Sequence, residues 1–173
     1  MKIKIKTVQV TDIDKLVEIS RQTFVDTFGM QNTAADLKRY LANHFNEIKL
    51  KKELANPDSQ FYFAESGSRV VGYLKINVAA AQTEPDYPHA LEIQRIYVVE
   101  EYQQLGVGQQ LLDWAIKKAV QLKKTAVWLG VWEHNLLAQQ FYLQAGFLRT
   151  QKHIFTLGNS VQSDWIMTKI LEE

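Results

Sequence analysis

The sequence contains no cysteine. Disulfides, cysteine-rich zinc sites, iron–sulfur clusters and a cysteine nucleophile are thereby excluded. No metal is expected, because the four histidines at 44, 89, 134 and 153 are scattered and no two stand at the i, i+4 spacing of a helical zinc site. An excess of one charge is missing too: 20 Lys and Arg against 19 Asp and Glu leave +1. Beyond the short run Lys2/Lys4/Lys6 there is no basic patch, so nucleic acid is not an expected partner. No apolar run approaches the roughly 20 residues of a membrane span. Met1 to Lys4 opens like a secretory leader, but no apolar core follows, so no membrane association and a cytoplasmic location are expected. With only 3 Pro and 8 Gly, and 46% apolar residues, the chain is neither collagen-like nor extensively disordered. Its 173 residues suit one domain, 1–173, with a core that needs no staple.

Alternation of Ile3 and Ile5 with lysines predicts a strand with one wet face. Thr11, with Asp14 three residues on, reads as a helix cap, and Gly29 as that helix's end. Thr33 with Asp36 reads as a second start, and 46–55 as a weaker helix. Asn56 to Ser59 is a turn, residues 61–64 and 70–78 a hairpin, and 79–90 a loop. A strand at 91–99, a helix after Gly108, a strand at 126–132, a helix from Asn135 to Ala145 stopped by Gly146, and a closing hairpin turning at Gly158-Asn159 complete the chain. The order implies an α/β (α+β) fold with a mixed sheet and helices packed on it.

Two runs carry chemistry. The first is Gln103-Gln104-Leu105-Gly106-Val107-Gly108, between a strand and a helix. Glycines admit a ligand close to the backbone, and a helix N-terminus offers unpaired N–H groups and a positive dipole end, which suits a pyrophosphate. The same run also reads as a plain turn. A Walker loop fails because Gln109-Gln110 follows Gly108. A dinucleotide fingerprint fails because Leu111 stands where the third glycine belongs, and strand 126–132 carries no acid, Glu133 falling just beyond it. In the second run Ala138, Phe141, Tyr142 and Ala145 share one helix face, a pattern that by itself describes a core stripe.

Together, Gln103-x-x-Gly106-x-Gly108 and Asn135-x-x-Ala138-x-x-x-Tyr142-x-x-x-Gly146-Phe147, in this order and between these elements, resemble the GNAT family of N-acetyltransferases. The resemblance spans the whole chain. It implies a central mixed, mostly antiparallel sheet of six to seven strands, about four flanking helices, and a splayed strand pair forming an acyl-CoA cleft. It implies acetyl-CoA as cosubstrate, with the backbone of Ile96, Tyr97 and Val98 pairing with pantetheine amides. The N–H groups of Gln103, Gln104, Leu105, Gly106, Val107, Gly108 and Gln109 would hold the pyrophosphate, and Asn135 would reach the pantetheine arm. Tyr142 would protonate the leaving thiolate, and Glu92, six residues before Val98, would be the base; the bland reading of Glu92 is an exposed strand position. Gln104 and Leu105 depart from the Arg/Gly and Lys that often precede the first glycine, so the loop lacks side-chain cations. The stretches 91–98, 128–133 and 163–169 are similar to bacterial spermidine/spermine acetyltransferases of the PaiA type.

The implied reaction is attack by a primary amine on a thioester, directly in a ternary complex, since no cysteine can carry the acyl group. A polyamine acceptor would be met by acids at the mouth, for which Glu92, Glu133, Glu84, Asp86 and Asp26 are candidates. Trp128 and Trp132 share a strand face and either line an acceptor tunnel or pack the core or a dimer. A protein or peptide amine, an amino acid, an aminoglycoside, or a non-catalytic acyl-CoA-binding module are the alternatives, and a homodimer is left open.

Overall fold

The computed structural model describes residues 2–157 and 159–172. Its strands are β1 (Ile3–Thr7), β2 (Ser59–Ser66), β3 (Arg69–Asn77), β4 (Ala90–Val98), β5 (Ala126–Trp132), β6 (Leu148–Leu157) and β7 (Ser160–Ile170). They form one seven-stranded sheet in the order β1-β2-β3-β4-β5-β7-β6. Only β4 and β5 run parallel; every other neighbouring pair is antiparallel. The helices among the described residues are α1 (Ile13–Phe28), α2 (Ala34–His44), α3 (Glu47–Leu54), α4 (Val107–Gln121) and α5 (Leu136–Gln144). The GNAT-like mixed sheet expected from sequence is thus present, with one helix more than the four expected because the weak segment at 46–55 folds as α3.

Strand alternation divides the sheet into two faces. Phe61, Phe63, Tyr73 and Lys75 face α1 and α3, where Leu16 and Leu50 are fully buried. Tyr62, Gly72 and Leu74 face α4, whose Leu111, Leu112, Ala115 and Ala119 form a buried stripe. α5 lies beside the start of α4, with Phe141 Cζ 3.8 Å from where a Cβ on Gly108 would sit. None of these helices is long and apolar enough to cross a membrane.

Several local expectations hold for the physical reason given. Thr33 Oγ1 accepts the Asp36 N–H at 3.1 Å, Asn135 Oδ1 accepts the Ala138 N–H at 3.2 Å, and the helix expected at 46–55 forms as α3, where the structure adds a cap from Asn46. Two do not. Thr11 caps nothing: it lies in a short 3-10 turn, Val10–Asp12, and Asp12 instead accepts the Gln9 N–H at 3.0 Å and the Lys6 ammonium at 3.2 Å. Gly29 follows α1 but keeps a right-handed φ of −61°, so the chain tightens into a second 3-10 turn instead of reversing through a left-handed cap. The turn expected at Gly158-Asn159 lies partly outside the described residues.

At Gly72, β3 leaves no room for a side chain against β4. A Cβ there would lie 2.8 Å from the Tyr97 carbonyl oxygen and 3.3 Å from Val98 Cγ2. Gly72→Ala is expected to destabilise the fold by about 1–3 kcal/mol through this overlap. Urea unfolding should show a lower midpoint with an unchanged slope.

Candidate active site

The parallel ladder between β4 and β5 runs only from Ala90 opposite Ala126 to Ile93 opposite Leu129. Beyond it β4 continues to Val98 and β5 to Trp132 without pairing with each other. The departure begins at a bulge: Ile76 of β3 faces Ile93 while the adjacent Lys75 faces Arg95, so Gln94 is the extra residue. From Gln94 to Val98, β4 therefore presents a free backbone edge toward β5. Such an edge is a row of donors and acceptors that another extended amide chain can complete. Ile96, Tyr97 and Val98 lie on this edge.

The edge leads through a 3-10 turn, Glu100–Tyr102, into the Gln103–Gly108 run. Gln104 and Gly106 both adopt left-handed backbone, at φ 59° and 82°. Gly106 is the residue before α4, and no side chain caps the helix. The first-turn N–H groups at Val107, Gly108 and Gln109 therefore lack a side-chain partner, at the positive end of a 15-residue helix. Space above Gly108 is open to 3.8 Å. An anion fits this cradle without any cationic side chain. Gln103 turns its side chain back to the Val98 carbonyl at 3.1 Å, and the Gln109 side chain bonds Asp113 at 2.8 Å, so both residues offer only backbone. Leu105 is exposed.

Tyr142 of α5 is buried, packed between Phe141 and Phe147. Its hydroxyl makes no hydrogen bond to any described residue. Burial raises its proton affinity, so the phenol is a proton donor at neutral pH. Burial first, then the neighbouring phenols of Tyr73, Tyr142 and Tyr40, raise that of Tyr97 on the free edge. A Cβ on Gly108 would lie 3.8 Å from Phe141 Cζ and 4.0 Å from Val98 Cγ2, so α5, which carries Tyr142, flanks the end of that edge. Asn135 commits its amide oxygen to the α5 cap, leaving its NH2 group for a ligand. Glu92 is not the exposed strand residue of its bland reading: it is only 2% exposed and lies on the paired part of β4. Its Oε2 accepts from Asn77 Nδ2 and from the Thr83 N–H, each at 2.9 Å, and its Oε1 accepts from Thr83 Oγ1. Three of roughly four carboxyl acceptor sites are thus taken.

The face carrying α1 to α3 holds a cavity of about 410 Å³ at the bulge. Phe24, Tyr40 and Phe45 wall it, and Gln94, Arg95 and Tyr97 of β4 close it. A larger depression of about 720 Å³ at the α2–α3 junction shares Lys49 with this cavity but is lined by no residue of β4 or β5. At the cavity wall Glu53 receives Arg95 in a fork at 2.8 and 3.3 Å and Lys75 at 2.9 Å. Burial raises the Glu53 proton affinity, but Arg95 and Lys75 outweigh it and hold the carboxyl below its ordinary value. Lys75 is itself pushed down, because burial and Arg95 outweigh Glu53. The forked Arg95 contact is the firmer of the two ties to Glu53.

Of the other acids expected near the mouth, Glu133 pairs with Lys152 at 3.0 Å and Glu84 with His153 at 3.3 Å. Asp26 instead neighbours Glu100 and Glu101. Trp128 packs: its ring stacks on Tyr87 and its Nε1 donates to Gln82 at 2.8 Å. Trp132 stands at the open end of β5 with Nε1 buried and unpaired among the described residues.

Residues 14–147 match the family model described as Acetyltransferase (GNAT) family. The chain belongs to that family. It is 43% identical to an uncharacterized N-acetyltransferase of Lactobacillus delbrueckii subsp. lactis, over 98% of both chains. It is 24% identical to a spermidine N(1)-acetyltransferase of Thermoplasma acidophilum, over 99% of both. Its fold matches the crystal structure of PaiA N-acetyltransferase from Thermoplasma acidophilum in complex with coenzyme A, with a TM-score of 0.82 at 24% identity, covering 99% and 100% of the two chains. The chain is accordingly an acyl-transferring enzyme of the N-acetyltransferase class.

Sequence reasoning missed Arg95 and Glu53, which line the cavity, and Asn77, which braces the bulge. Lys75 and Asn77 carried a readable signal, polar residues inside the apolar strand 70–78. Glu53→Gln is expected to leave Arg95 and Lys75 underpaired and to cost roughly 3–5 kcal/mol. The sign with pH follows from the lowered folded value. Stability from Glu53 is complete above its ordinary 4.5 and is lost as pH falls through the lower folded value. Melting curves should show that acid limb in the wild type and a flatter one in Glu53→Gln.

Proposed function

We propose that the protein transfers an acetyl group from acetyl-CoA to a primary amine by direct attack in a ternary complex, with a polyamine such as spermidine or spermine as acceptor. The observation that carries this is the free β4 edge running into an uncapped helix N-terminus, with the Tyr142 phenol beside it. Pantetheine amides would complete the edge at Ile96 to Val98, with the Asn135 NH2 group on the arm. The pyrophosphate would take the N–H groups between Gln103 and Gln109, with α4's dipole behind them.

The acceptor arrives as an ammonium and must lose a proton before its nitrogen can attack. The nitrogen then forms a bond to the thioester carbonyl carbon. Charge developing on that oxygen is met by a backbone N–H of the free β4 edge. On collapse the C–S bond breaks and the thiolate takes the Tyr142 proton. Glu92, implied by the family resemblance as base, fits a supporting part, because its acceptor sites are largely filled by Asn77 and Thr83.

The aromatic walls of Phe24, Tyr40 and Phe45 support a cationic acceptor. The spermidine acetyltransferase relative adds support at 24% identity. A second reading has its own observation: Arg95 and Lys49 line the same cavity, and Lys49 has no carboxylate partner among the described residues. That favours an acceptor carrying a carboxylate beside its amine, such as an amino acid or peptide.

Thiol release from acetyl-CoA, followed with spermidine, spermine, putrescine, a lysine peptide and free amino acids, separates the readings. Release with polyamines alone supports the first; release only with carboxylate-bearing amines replaces it by the second. Tyr142→Phe is expected to lower kcat by about 10²-fold or more while keeping the acetyl-CoA-induced rise in melting temperature. Unchanged turnover would remove Tyr142 from the chemistry. Gly106→Ala, strained by about 1–2 kcal/mol at positive φ, should instead diminish that melting shift.

A further inference from the structure

Asp164 of β7 stands opposite Trp132, the last residue of β5, and opposite His153 of β6. It therefore sits where β5 has already lost β4 as a neighbour. Its side chain lies over Gly130, with Oδ2 3.3 Å from the place a Cβ on residue 130 would take. A larger residue at 130 would displace it from the gap. Trp132 on the same face packs against Phe28 of α1 at 5.6 Å, which puts Asp164 on the side of the sheet that holds the cavity. Tyr40 of the cavity wall feels the Asp164 charge.

The carboxyl groups around the gap differ in what occupies them. Glu92 is bound by Asn77 and Thr83, Glu53 by Arg95 and Lys75, Glu133 by Lys152, and Glu84 by His153. Asp164 Oδ1 is buried and has no hydrogen-bond partner among the described residues. A buried acceptor without a donor is costly unless a ligand supplies one.

We propose that Asp164 takes the proton from the acceptor's ammonium group at the gap between β4 and β5. The inference rests on the acetyl-transfer reading above and supplies the base which that reading leaves unassigned. The Asp164 carboxylate accepts one proton from R–NH3+, and the freed lone pair forms the C–N bond to the thioester carbon. Collapse breaks the C–S bond, and the thiolate leaves with the Tyr142 proton. The proton still held by the acylated nitrogen returns through solvent to Tyr142, and Asp164 releases its own to solvent. One proton is released per amide formed.

The charges facing Asp164 suit this task. Burial raises its pKa, His153 from β6 lowers it, and Glu133 from the end of β5 raises it, to about 6. Lys152 of β6 and His134 next to Glu133 are held by the Glu133 carboxylate, His153 by Glu84, and on α2 the proton affinity of Tyr40 is raised by burial first and by the Asp164 charge as well. The group is thus largely ionised at neutral pH yet able to hold a proton.

The test compares the full-length wild type with Asp164→Asn and Asp164→Glu by thiol release with the best amine of the panel, across about pH 5 to 9. The acetyl-CoA-induced melting shift of each protein reports folding and cosubstrate binding. The wild type should show an acidic limb in kcat/KM near pH 6. Asp164→Asn should lose that limb and fall by about 10²-fold or more at neutral pH, with its melting shift intact. Asp164→Glu should recover part of both. The amine's own ionisation is common to all three proteins, so the difference isolates residue 164. An Asp164→Asn variant within about threefold of wild type, with the same acidic limb, overturns the proposal and leaves the transfer reading standing. A wild type that binds acetyl-CoA but acetylates none of the amines overturns both.

Discussion

At Gln94, β4 carries one residue more than the β3 segment opposite it, and past that point it no longer bonds to β5. The site depends on this mismatch. A parallel pair that stayed in register would satisfy its own N–H and C=O groups and leave nothing for a ligand. Here the strand holds β3 on one side through to Val98 while its other edge is open, so the backbone itself becomes the binding surface. The uncapped start of α4 extends the same logic by a few residues. A cosubstrate with amides along one part and a pyrophosphate at the end matches that sequence of donors and acceptors.

A bulge in mid-sheet weakens the ladder, and the polar side chains around it make good the loss. Asn77 Nδ2 reaches both Glu92 and Gln94, one on each side of Ile93, at 2.9 and 2.7 Å. Glu92 in turn fixes Thr83 of the loop before β4. Just past the bulge, Arg95 and Lys75 share Glu53, tying β3 and β4 to α3. Buried networks of this kind rigidify when every member is satisfied. They hold β3 and β4 to one another and to α3 in one geometry, so the edge that β4 turns toward β5 keeps its register for an amide chain.

The parts of this arrangement legible in the sequence are the ones whose physics is local. The glycines before α4, the Asn135 cap and the Gly146 stop are readable from a few neighbouring residues, and together they lead to the acyl-CoA side of the site. Caps could still mislead: Thr11 and Asp14 have the right spacing, yet Asp12 is drawn to Lys6 and to the Gln9 N–H, and the chain takes a 3-10 turn instead. The far side of the sheet was illegible for a different reason. Glu53 meets Arg95 across 42 positions, and Asp164 acquires its setting only when β7 lies against Gly130 and Trp132. Neither relation leaves a spacing that can be counted. Glu92 shows the converse, since its position along β4 suggested a reactive carboxyl and its neighbours enclose it.

The two sides of the gap are therefore built by different means, and this bears on how such a chain changes. On the α4 side the proposed recognition is by backbone, and substitutions at Gln104 or Leu105 alter side chains that such an anion cradle does not use. On the α1–α3 side every contact is a side chain: Phe24, Tyr40 and Phe45, the Glu53 network, and Asp164 over a glycine. A handful of substitutions there would exchange one amine for another while leaving the sheet, the bulge and the open edge as they are. A relative 24% identical over nearly its whole length shares this fold. In the proposed reading, acceptor identity rests on Arg95, Lys49, Tyr40 and Asp164, because the motifs that reveal the family lie on the acyl-CoA side.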